Sequence, residues 1–138
     1  MAIEFLERCE TLEECYEFML AYAGQGLPGD DGPQGTSQIR EFLQRAAGAL
    51  AGLVESFAKA ATQEKLNGDG REFTSVLARD AQDSLAIIRL VLVQPSISSQ
   101  LIDNLNASSH LRALLTDLFL VGDILRSPRM AETTKATE

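Results

Sequence analysis

Two cysteines and a single histidine, Cys9, Cys15 and His110, have the most direct route to chemistry in this chain. A thiolate beside an imidazole is the minimum for nucleophilic catalysis. The same three side chains with a carboxylate are the minimum for a zinc site. Their spacing supports neither. Cys9 and Cys15 stand six residues apart on a segment of helical periodicity and form no C-x-x-C. They match no disulfide framework, and helical cysteines beside an apolar stripe are ordinarily buried and inert. A di-iron bundle needs Glu-x-x-His pairs, whereas Ala107 stands three residues before His110. His110 reads as a helix-start residue.

Other patterns fail on similar grounds. Asn67-Gly68-Asp69-Gly70 has the look of a calcium loop, but the alignment puts Lys65 and Val76 where an acid and a bidentate Glu are required. It reads as a turn. Gly24-x-Gly26 lacks the third glycine of a dinucleotide motif and has no strand before it, and no Gly-Lys-Ser/Thr exists. Ser98-Ser99 and Ser108-Ser109 read as caps and turns. Among the acids, Asp80 and Asp83 share a helix, with Arg79 spaced to pair with Asp83. Asp117 and Asp123 have Arg112 and Arg126 nearby in sequence. Arg89 lies in the most apolar stretch and is expected to reach a carboxylate of another helix. No catalytic, metal or cofactor-binding set emerges, and the chain is expected to be neither an enzyme nor a cofactor carrier.

The elements that position these residues are helices. Residues 2–23 read as one helix or two, with Thr11 and Glu14 matching a capping box. Residues 24–36, GQGLPGDDGPQGT, read as a flexible loop remote from any catalytic centre. A helix capped by Ser37 follows to about Leu66, with a four-and-three seam of Ile39, Leu43, Ala46, Leu50, Leu53, Phe57 and Ala60. Gly48 and Gly52 lie in a small-residue patch expected to line a tight helix crossing. A third helix, about Arg71 to Gln94, uses Phe73, Leu77, Ala81, Ser84, Ile88 and Val91 and ends before Pro95. Ser96 caps a short helix to Leu105. The last helix, His110 to Arg126, has a seam of Leu111, Leu115, Leu118, Gly122 and Leu125. The expected fold is all-α, an antiparallel bundle of four main helices plus a short extra helix. The bundle domain spans 1–127, with 128–138 as a disordered polar tail.

A formal net charge of −8 argues against nucleic-acid and anionic-membrane partners. Glu4 and Glu7 stand where a signal peptide needs bases. With two unpaired cysteines, a cytoplasmic setting is the simpler reading. Two helices carry more apolar surface than one seam uses. Leu114, Phe119, Leu120, Val121 and Ile124 are surplus on the last helix, and Ile87, Leu90 and Val93 on the third. Wide apolar surface marks interfaces. The expected function is therefore a non-enzymatic interaction module, a scaffold, adaptor or small chaperone-like protein. Its expected partner is a second copy docking through the last helix and the end of the third, or another protein on the same face. The alternative is a binder of a small apolar ligand within the bundle.

Overall fold

The computed structural model describes residues 2–30 and 37–127. The expectations of flexibility for 31–36 and disorder for 128–138 lie outside the described residues. The described residues form six helices and no strand, joined by turns and loops: α1 (Ile3–Ala23), α2 (Gln38–Ala51), α3 (Leu53–Gln63), α4 (Asn67–Leu92), α5 (Ser99–Asn106) and α6 (Ser109–Arg126). α1 and α4 are the two that touch most of the others. α1 packs on α2, α3, α5 and α6, and α4 on α2, α3, α5 and α6. The core holds seam residues such as Leu43, Leu53, Leu77, Ile88 and Leu118, joined by Ile102 and by Leu114 from outside the α6 seam. α4 and α6 meet in opposite senses: Ser84 Oγ donates to the carbonyl of His110, Asp117 lies against Asp80, and Phe73 lies near Val121 and Leu125.

The expected long second helix is two helices. It breaks at Gly52 because Arg8 of α1 occupies the space above that residue. A Cβ built on Gly52 would stand 2.5 Å from an Arg8 guanidinium nitrogen. Arg8 Nη1 donates to the carbonyls of Gly48 and Ala49 at 3.2 and 3.1 Å. These belong to the last turn of α2, whose carbonyls lack helical partners and attract a cation. The seam survives the break, since Leu50, Leu53 and Phe57 are all buried.

The small-residue patch is not a helix crossing at Gly48, which is exposed and whose added Cβ would meet nothing within 4 Å. Glycine there only costs helix propensity. Gly48→Ala is thus expected to stabilise the chain by roughly 0.5–1 kcal/mol. A fall in the urea midpoint would show that the site needs glycine after all.

Three further boundaries move. Thr11 is mid-helix and donates to the carbonyl of Glu7, so there is no capping box. Asn67-Gly68-Asp69-Gly70 is the first turn of α4 rather than a turn before it. The reversal comes just earlier, where Lys65 and Asn67 take positive φ of 58° and 57°. Asparagine tolerates this region and lysine does so at a cost of about 1–2 kcal/mol. Gly70 is required there, because a Cβ would sit 2.7 Å from Leu66 Cβ and 3.3 Å from Ala61 Cβ. Ser98, not Ser96, caps the short helix, accepting from the amide of Leu101 at 3.0 Å.

Candidate functional site

Buried polar groups cost desolvation energy unless they are paired, so each marks a place where the fold supplies a partner. The most buried ion pair joins Asp30 and Arg40, with side chains 3% and 5% exposed. Arg40 Nε donates to Asp30 Oδ2 at 2.6 Å and Nη2 to Oδ1 at 3.3 Å. The other faces of the guanidinium donate to the carbonyls of Leu92 and Gln94, both at 2.8 Å, at the end of α4. Asp30 also accepts from the amide of Ile97 at 2.7 Å and the hydroxyl of Ser37 at 2.8 Å. Beside it, Ser99 Oγ donates to the carbonyl of Tyr22 and accepts from the amide of Leu27, and Tyr22 Oη donates to the carbonyl of Ile97. Residues 24–30 are thus strapped across the ends of α1, α2, α4 and α5. Among the described residues, Asp30, Arg40, Ser99 and Tyr22 each bind backbone or side-chain groups that hold helix ends together, so the knot acts as a clasp.

The residues singled out for chemistry do not converge. Cys9 and Cys15 are buried and unpaired, while His110 is exposed. Burial, reinforced by Glu13, pushes the Cys9 thiol up to about 12, and burial also raises Cys15. Neither is a thiolate at neutral pH. His110 Nδ1 instead meets Asp83 at 3.6 Å, in place of Arg79, which the helical spacing offers as the partner of Asp83. Arg89 is exposed in the last turn of α4, favourable to the helix dipole. Arg40 is the buried arginine. Among the described residues no group of three or more His, Cys, Asp and Glu could hold a metal ion.

One titratable pair does sit in a helix seam. Asp117 of α6 faces Asp80 of α4, and Asp117 Oδ2 is buried with no hydrogen-bond partner among the described residues, so a proton shared between the two carboxyls is the favoured arrangement. Burial first, then the Asp80 carboxyl, push Asp117 up to about 7. The folded state therefore holds this proton more tightly than the unfolded chain does. Its contribution to stability is full below the ordinary aspartate range and is lost as pH rises through about 7. Asp117→Asn, whose amide donates at every pH, should raise stability at pH 8 by on the order of 1 kcal/mol. At pH 5 it should change little. Equal urea midpoints for the two proteins at pH 8 would count against the shared proton.

The remaining candidate is surface. Of the surplus apolar residues, Leu114 and Val121 belong to the intramolecular core, and Ile87 is half-buried. Leu114 and Val121 therefore leave the candidate face. Phe119, Leu120 and Ile124 are 54%, 56% and 38% exposed within two turns of α6. Leu120 and Ile124 also edge an apolar groove of about 470 Å³ between α6 and the α3–α4 corner, floored by Phe57 and Phe73. Lys65 and Asn67, the two residues of positive φ, also line it. Leu90 and Val93 are exposed too, but at the far end of α4. Leu90 lies about 25 Å along the helix axis from Phe73, which lines the groove.

No protein-family model, curated protein or solved structure matches this chain. Function must therefore be argued from the surface itself. Among the described residues, no helix is long and apolar enough to cross a membrane.

Proposed function

We propose that this chain is a non-enzymatic helical interaction module that acts as a homodimer, docking through the outer face of α6. The observation that carries the reading is the exposure of Phe119, Leu120 and Ile124 on consecutive turns of a helix whose other large apolar residues are covered. Aromatic and branched residues bared together in this way recur at interfaces. Architecturally, α1, the α2–α3 pair, α4 and α6 act as the four long members of an antiparallel bundle, with α5 as the short extra one. The acidic charge and buried, unpaired cysteines support a cytoplasmic scaffold or adaptor that engages neither nucleic acid nor membrane.

Phe119→Asp tests this directly. The side chain is more than half exposed, so the variant should fold with an unchanged helical signal. Light scattering should then find a monomer at concentrations where the unsubstituted chain is a dimer. A variant that stays dimeric would move the contact elsewhere. The groove of about 470 Å³ favours a second reading, a site for a small apolar ligand, because its size and its floor of two phenylalanines suit one. A mass spectrum of solvent extracts from the purified protein separates the two: a stoichiometric hydrophobe supports the ligand reading, and its absence supports the dimer.

A further inference from the structure

Outside its buried seam, α6 carries a second four-and-three series: Arg112, Thr116, Phe119 and Asp123, all exposed. Its charges are in the wrong places for an isolated helix. Arg112 stands in the first turns, near the positive end of the helix dipole, and Asp123 in the last turns, near the negative end. Among the described residues neither makes an ion pair. Arg126, next in the series, is folded back over Gly122, where a Cβ would come within 2.8 Å of its guanidinium. Among the described residues nothing accounts for an arginine and an aspartate placed against the dipole at the two ends of one apolar stripe.

We infer that two copies pack α6 against α6 in antiparallel fashion, with Arg112 of each facing Asp123 of the partner subunit. The pairing rests on the self-association proposed above and adds its register and direction. A twofold axis midway between the two charges crosses α6 at the level of Asp117 and Leu118. It sets Phe119 opposite Thr116 of the partner subunit and places the two ion pairs about 16 Å apart. A twofold contact must be self-complementary, and this face is: one cation, one anion and an aromatic between them. Parallel packing would oppose Arg112 to Arg112 and Asp123 to Asp123. The antiparallel arrangement also brings the oppositely directed helix dipoles side by side. The α6 stripe is electroneutral, so a chain of net charge −8 can meet its own copy here without opposing like charges at the contact.

Reversing the charges tests the register. Arg112→Asp and Asp123→Arg should each weaken the dimer by about tenfold or more in Kd, since each opposes two like-charged pairs. Mixing the two single variants restores both ion pairs, and a heterodimer should form with affinity within a few-fold of the unsubstituted dimer. The double variant Arg112→Asp/Asp123→Arg should likewise regain homodimerisation. All positions are exposed, and circular dichroism checks the fold of each variant. A dimer indifferent to the single reversals, or a mixture that does not recover, overturns this register while leaving self-association standing. An unsubstituted chain that is monomeric at tens of micromolar overturns the self-association itself.

Discussion

Arg40→Ala is expected to destabilise the chain by about 3–5 kcal/mol, the range for removing one partner of a buried ion pair. The loss is more than that pair. The guanidinium also satisfies the carbonyls of Leu92 and Gln94 at the end of α4, and without it these two acceptors lose their donor and the buried Asp30 carboxylate loses its counter-charge. Arg40→Lys keeps the charge but not the fork that reaches Asp30 and both carbonyls at once, so its cost should fall between the parent and the alanine variant. Urea denaturation measures all three. A loss under about 1 kcal/mol for Arg40→Ala, within the range of an exposed pair, would mean that the clasp is solvated. Within residues 24–30, the same clasp ties down a stretch that composition alone reads as part of a loose connection. Cutting out Gly29 and Asp30 with their neighbours should unfasten α4 from α2, although glycine and proline are dense there.

Phe57→Ala carries the other large effect, again about 3–5 kcal/mol, the usual cost of emptying a phenylalanine site. Phe57 is buried and lies edge-on to Phe5 at 5.3 Å and Phe73 at 5.5 Å between ring centres. It ties α3 to α1 and α4 and floors the groove beside α6, so its loss removes aromatic contacts on two sides. Phe57→Leu refills most of the volume and should lose distinctly less. If alanine and leucine cost the same, the rings contribute through something other than packing.

What the amino-acid sequence reveals and what it hides divide along a physical line. Periodic burial is local, so the seams through Leu43, Leu53, Leu77 and Leu118 can be read from spacing alone, and all four residues are buried. Serine caps are only partly legible: Ser98 and Ser108 accept amide hydrogens from the helices they precede, whereas Ser37 and Ser96, the expected caps, do not. Long-range capping is different. Arg8 reaches carbonyls about forty residues away in α2, and Arg40 reaches carbonyls more than fifty residues away at the end of α4. Nothing in the immediate neighbours of either arginine says which helix end it will close. Arg89 drew attention by its apolar surroundings in sequence, yet a helix 26 residues long has an outer face even in its most apolar turns, and Arg89 lies on it. The surplus on α6 was legible as a quantity but not as a face. Leu114 and Val121 lie toward the core, while Phe119, Leu120 and Ile124 do not, and that division depends on which neighbours cover the helix.

Sedimentation equilibrium of the unsubstituted chain, run from below one micromolar to about one hundred, tests the central claim most directly. The exposed face of α6 predicts a reversible monomer–dimer equilibrium, with a weight-average mass approaching twice that of the chain at the upper end. A single species of monomer mass across the whole range would contradict self-association through this face.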